Sequence, residues 1–227
     1  LVEVNVFEQC GLIFVKQDAT AQTANPLEEL PTFLQPSQII INKNEATVSA
    51  NWKIYLESFL EGYHIKFAHP DTFYPFGYDN LNIIEFCGPH ARVTFPFRRI
   101  ESLIDVEPSE RDVSGRLTYV YHIFPNVIVT VLSHHTNVII LETVDLRTTR
   151  TTIYQLTHPT RDDDQQVALE AAKRDLSFVT ETGAMEDIAL VRSIQKSIES
   201  GANDAFTFGH FEPAIVHFHQ QLSKLIG

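Results

Sequence analysis

Between residues 90 and 157 the sequence carries five runs of strand length, at 92–97, 117–124, 126–133, 137–144 and 149–157. Turn signals at Pro125-Asn126 and around His134-His135-Thr136 separate the later runs, which indicates consecutive antiparallel pairing. This meander constrains the fold more than any other stretch, because helical patterns lie on either side of it. Residues 165–180 and 184–200 read as two helices, and Pro213 opens a last one that runs to Leu225. The arrangement predicts one α+β domain over residues 1–227, with helices packed on one face of an antiparallel sheet. At 44% hydrophobic and 20% charged, 227 residues suffice for a folded body with its own core.

The N-terminal third is less regular. Residues 1–16 alternate around Cys10-Gly11 and read as two short strands or a hairpin, and 17–37, with three X-Pro steps, as a surface connection with one helical turn. Residues 39–48 read as a further strand pair turning at Asn42-Lys43-Asn44-Glu45. From Asn51 the period changes. Trp52, Tyr55, Leu56, Phe59, Leu60 and Tyr63 keep helical spacing, and Pro70 bars continuation, so an amphipathic helix is expected to end in the mid-sixties. Residues 71–89 read as a long irregular loop of the kind that covers binding sites.

Charge excludes several classes of function. Seventeen basic against 29 acidic residues leave a formal charge of −12, which repels a phosphate backbone and makes nucleic acid a poor partner. No apolar run approaches the ~18 residues of a membrane span. Two cysteines cannot build a disulfide framework, and a reducing, cytoplasmic compartment fits best. The chain shows no signal peptide and begins at Leu1 without a methionine, which reads as a fragment.

The chemistry concentrates in residues 57–70. Glu57, Glu61 and His64 follow i, i+4, i+7 spacing and are expected on one helical face. His69, five residues after His64, reaches a common point with it if the chain turns before Pro70. Two imidazoles and a distant carboxylate make the two-His-one-carboxylate triad that leaves three cis positions open on an octahedral metal, the arrangement of non-haem Fe(II) oxygenases. Asp187 is the best third ligand, since it faces the apolar side of its helix with Leu190 and Val191, where a carboxylate needs a cation. Glu186, Glu181 and Asp175 compete with it. Taken alone, a His-x4-His pair is more often structural than metal-binding, and paired glutamates more often form a solvated face. His217 and His219 read as structural or surface residues of the last helix, His134-His135 as a turn. His90, His122, His158 and His210 show no partner pattern.

Asn51-Trp52-Lys53, followed by Glu57-x-Phe59-x-Glu61-x-Tyr63-His64-x4-His69-Pro70, closely resembles the iron-binding segment of the large subunit of Rieske non-haem iron oxygenases. The resemblance runs along the chain. Gly11-Leu12-Ile13-Phe14-Val15 is similar to the strand after the Rieske domain in that family. Tyr121-His122-Ile123-Phe124-Pro125-Asn126 is similar to a strand and turn of its catalytic domain, and Glu186-Asp187 with Gln195 to the late helix that supplies the carboxylate. The resemblance implies a helix-grip (START-like) fold, an antiparallel sheet wrapped around a C-terminal helix with an apolar cavity between. It implies His64, His69 and Asp187 as ligands of a mononuclear Fe(II). It also implies Glu61 as the acidic residue that links the iron to the Rieske cluster of a neighbouring subunit, a position that is usually Asp. Ser58 stands where many members carry Asn.

A hydroxylated or cis-dihydroxylated aromatic or apolar substrate, O2, a ferredoxin or flavin reductase and a homotrimer follow by the same resemblance. The [2Fe–2S] cluster needs Cys-x-His and Cys-x-x-His. Cys10 is followed by Gly-Leu and Cys87 by Gly-Pro, so the cluster and its N-terminal domain are expected outside this chain, which alone should be inactive. Two rival readings stay open: a zinc hydrolase built on the same three ligands, and a non-catalytic module that binds hydrophobic ligands.

Overall fold

The computed structural model describes residues 3–16, 30, 32–159, 164–181 and 183–226. The expected surface connection at 17–37 lies largely outside them. Strands β1 (Asn5–Gln9) and β2 (Leu12–Lys16) form the predicted hairpin. Cys10 and Gly11 both take positive φ, 52° and 70°. This is the backbone of a two-residue turn whose twist matches its strands.

The main sheet is antiparallel throughout and has seven strands among the described residues, in the order β3-β9-β8-β7-β6-β5-β4. These are β3 (Ile40–Val48), β4 (Ile83–Cys87), β5 (His90–Pro96), β6 (Leu117–Ile123), β7 (Val127–Val131), β8 (His135–Asp145) and β9 (Thr148–Thr157). The meander from β5 to β9 is the one expected from the sequence. Two expectations fail. Residues 39–48 are not a strand pair but one edge strand, β3, aligned with β9 from Ile40↔Leu156 to Val48↔Thr149. Its central Asn42-Lys43-Asn44-Glu45 is polar because an edge strand meets solvent, where charge and Lys deter further pairing. The irregular loop at 71–89 ends in a true strand, β4, which pairs with β5 from Ile83↔Thr94 to Cys87↔His90.

The central strands are covered on both faces, so consecutive residues are buried instead of alternating ones. Ile128 and Val129 are both fully buried, and the pairs Val120/Tyr121 and Val138/Ile139 nearly so. One face packs with Phe33 and, around its margin, Leu12 and Phe14 of the hairpin. The other carries the helices α1 (Trp52–Glu57), α4 (Gly183–Glu199) and α5 (Pro213–Ile226). Here Leu56, Leu60, Val191, Ala214, Ile215 and Phe218 join Val93, Val120, Ile128 and Leu141 in one core. A sheet gripping its C-terminal helix is the expected architecture. Helix α3 (Gln165–Glu181) precedes α4, and α2 (Ile65–Ala68) is a single turn.

His122 sits inside this core, fully buried, against the Phe218 ring at 5.2 Å. Its Nε2 lies 3.1 Å from the Pro125 carbonyl oxygen, to which it donates in its neutral form. Burial drives its pKa down to about 4. The unfolded chain therefore takes up this proton first as pH falls. Stability is expected to drop by on the order of 3 kcal/mol between pH 6.5 and 4. Denaturation midpoints across that range check it, and His122→Gln should flatten the slope.

Candidate metal centre

Asn51 caps α1, its side chain accepting a hydrogen bond from the Lys53 amide at 3.1 Å. The helix then stops at Glu57 instead of continuing to the mid-sixties. Ser58 donates its hydroxyl to the Tyr55 carbonyl at 2.8 Å, which competes with the helical ladder. The amides of Phe59 and Leu60 bond only three residues back, to Leu56 and Glu57. At Gly62 the chain passes so close to β5 that a Cβ would lie 3.3 Å from the Phe95 ring. The expected common face of Glu57, Glu61 and His64 is therefore not formed. Glu57 points to α5, where its carboxylate meets His219 Nε2 at 2.9 Å.

This break is what brings the imidazoles together. Glu61 turns back on His64, accepting from its backbone amide at 3.2 Å and making a short contact with its Nδ1. After the single turn α2, His69 is almost wholly buried, and its ring centroid lies 5.3 Å from that of His64. From α4, Asp187 Oδ1 lies 2.8 Å from His69 Nε2 and 3.6 Å from His64 Nε2. The three donor atoms fall within 4.8 Å of one another, and no other such trio of His, Cys, Asp or Glu occurs among the described residues.

Donors about 2.0–2.2 Å from a first-row metal lie about 3 Å apart when cis, so the set fits one ion. Two imidazoles and a carboxylate suit iron and zinc alike. The rival carboxylates are engaged elsewhere. Glu186 Oε2 takes the outer nitrogen of His69, Nδ1, at 2.7 Å. Asp175 binds the fully buried His135 at 2.7 Å. His135 is thus the first residue of β8 and not part of a turn. The Glu181 side chain lies outside the described residues. Ser58 makes its contact with Tyr55 and none with the trio.

Burial opposes charge on His69, but the hydrogen bonds and charges of Asp187 and Glu186 outweigh it and hold its pKa above the ordinary value. Without a metal the folded chain thus favours the protonated ring, which donates to both carboxylates. That contribution to stability is present below the pKa of an unfolded histidine and is lost as pH rises through the folded value. Burial, with the Asp187 charge adding to it, pushes the Tyr55 phenol well up, so it stays neutral. Aromatic rings line the side beyond His69: Phe73 at 4.9 Å, then Phe178 at 5.9 Å from Phe73. Thr72, which donates to Glu186 Oε2 at 2.8 Å, was invisible as a site residue in the sequence, where it carries no motif.

A seven-stranded antiparallel sheet closed on a C-terminal helix, with two histidines and an aspartate converging at its end, is the architecture of a Rieske oxygenase catalytic domain. Residues 39–227 match the family described as ring hydroxylating alpha subunit (catalytic domain), and the chain belongs to that family. Choline monooxygenase, chloroplastic, from Arabidopsis thaliana is 23% identical over 188 residues, 79% of this chain and 40% of the relative. A solved quaternary ammonium Rieske monooxygenase superposes with a TM-score of 0.70 at 19% identity, over 98% of this chain and 61% of its own. Naphthalene 1,2-dioxygenase from Rhodococcus sp. gives 0.72 at 12% identity, over 98% and 66%. The chain thus spans less than two thirds of the first two proteins. Among the described residues no helix is long and apolar enough to cross a membrane.

Proposed function

We propose that residues 1–227 form the single oxygen-activating domain of a Rieske-type mono- or dioxygenase, with a mononuclear Fe(II) held by His64, His69 and Asp187. The observation that carries this reading is the meeting of His64 Nε2, His69 Nε2 and Asp187 Oδ1 within 4.8 Å, in a chain of this family. When bound, iron supplies the redox chemistry that lets O2 react with an unactivated C–H or C=C bond. The residues of the chain do the rest. The two imidazoles and the Asp187 carboxylate would hold the ion as three protein donors, a set that leaves room for substrate and O2. Glu61 keeps a proton on His64 Nδ1, so that the Nε2 lone pair faces inward. Phe73 and the buried Tyr55 keep that side of the site dry.

Glu61, in contact with His64 Nδ1, is also the residue that would link the iron site to a [2Fe–2S] Rieske cluster of a neighbouring subunit. Neither cysteine of this chain lies in a cluster-binding pattern, so that cluster belongs to another part of the intact protein. A ferredoxin or flavin reductase as electron source, and a homotrimer, complete the proposal. A solved quaternary ammonium Rieske monooxygenase is described in terms of inter-subunit electron transfer, which supports the oligomer.

For the substrate, the reading from the sequence is an aromatic or other apolar compound. A second class is favoured by the choline monooxygenase match: a quaternary ammonium compound, whose cation the rings of Phe73 and Phe178 suit. The test is turnover of the intact protein with a reductase and O2, choline and naphthalene being offered in parallel. Iron in the preparation and a hydroxylated product are expected. Zinc in its place, with hydrolysis that needs no reductant, or ligand binding with no metal at all, would overturn the oxygenase reading.

A further inference from the structure

Asp187 is not the only carboxylate that α4 brings to His69. Glu186 Oε2 lies 2.7 Å from His69 Nδ1 while Asp187 Oδ1 lies 2.8 Å from Nε2, so two successive residues of one helix engage both nitrogens of one ring. The same Glu186 oxygen accepts from Thr72 Oγ1 at 2.8 Å. Thr72 belongs to the turn that follows His69, its amide 3.3 Å from the His69 carbonyl oxygen. With 1% of its surface exposed, the ring has no space to reorient.

We propose that Glu186 is the positioning residue of His69: it accepts the Nδ1 proton, leaves the Nε2 lone pair for a metal held together with Asp187 and His64, and locks the ring to α4 through Thr72. The role rests on the iron-site reading above and deepens it. Each imidazole then has a glutamate behind it, but from different sources. Glu61 serves His64 from three residues away, whereas Glu186 serves His69 from 117 residues away. A carboxylate on the outer nitrogen fixes the tautomer and raises the basicity of a ligating histidine, and removal of such a partner costs about 10–100-fold in metal affinity.

The alternative is that Glu186 merely pins α4 to the turn at Thr72, and ligation would not register that. Affinity of the mononuclear site for Co(II) and the proton NMR spectrum of the cobalt-loaded intact protein separate the two. Beyond the signals present before cobalt is added, two solvent-exchangeable, paramagnetically shifted imidazole N–H signals are expected from the wild type, one each from His64 and His69. Glu186→Ala should weaken Co(II) binding about 10–100-fold and broaden away the His69 signal while leaving that of His64. Glu186→Gln, whose amide oxygen still accepts, should retain the signal at a shifted position with a smaller loss of affinity.

Unchanged affinity with both signals intact in Glu186→Ala overturns the role. If that variant does not fold, an unshifted His69 signal and wild-type affinity in Glu186→Gln overturn it equally. A wild type that takes up no metal overturns the iron-site reading, and this role with it. Failure in the variants alone removes only the role of Glu186.

Discussion

Asp187→Ala is expected to empty the mononuclear site: iron analysis of the purified intact protein should show the Rieske iron retained and the third iron per chain gone, with substrate oxidation below detection. Loss of a partner that only orients a ligating histidine already costs about 10–100-fold in metal affinity, so loss of one of three direct donors costs more. Two neutral imidazoles are also left without the charge that compensates the cation. The fold should survive the change. Asp187 is about one-fifth exposed and lies at the margin of the core, and the apolar anchor of its helix is Val191, fully buried one turn further on. Unaltered iron content in a folded Asp187→Ala protein would sink the assignment.

The second large effect concerns the grip itself. Phe218→Ala is expected to destabilise the domain by about 3–5 kcal/mol, the usual cost of deleting a buried phenyl ring. Phe218 is fully buried on α5 and meets three rings from two other parts of the chain: Trp52 edge-on at 5.6 Å, His122 at 5.2 Å and Phe124 at 6.4 Å. A domain of this size loses about 2–4 °C per kcal/mol, so the melting temperature should fall by roughly 6–20 °C. Calorimetry checks it, and a shift under 3 °C would show that α5 is not what holds the sheet closed.

Where secondary structure follows from a period, the sequence was legible almost to the residue. The helices expected at 165–180, 184–200 and from Pro213 occur at Gln165–Glu181, Gly183–Glu199 and Pro213–Ile226. The meander was equally plain, because runs such as Val127–Val131 are too short and too apolar to be anything but buried strands. Most of the misreadings come from contacts distant in sequence, though the Ser58 hydroxyl also ends α1 locally. Nothing local marks Asn42–Glu45 as the middle of an edge strand, since only pairing with Thr152–Gln155 straightens it. The apolar spacing from Trp52 to Tyr63 is helical, yet the chain bends because Gly62 must pass the Phe95 ring. For the same reason Glu57 left the site for His219, and His135 left its turn for Asp175.

For the site, motif and resemblance together named two histidines and an acid that the structure brings within 4.8 Å of one another. They could not say how two neighbouring acids divide one ring. Which nitrogen of His69 each of Glu186 and Asp187 meets depends on how α4 is rotated against the turn at Thr72, and that rotation is set by burial of Val191 in a core drawn from the whole chain.

The paired histidines and the aspartate that completes their set stand 118 residues apart, joined only when α4 has docked against the sheet. An extended chain offers no such pocket, so a metal held by these three residues would be bound by the folded chain and not by any short peptide. Saturation at 100 times the dissociation constant would then add about 2.7 kcal/mol to the folded state. On the proposed site, occupancy would count the molecules whose late helix has reached its berth.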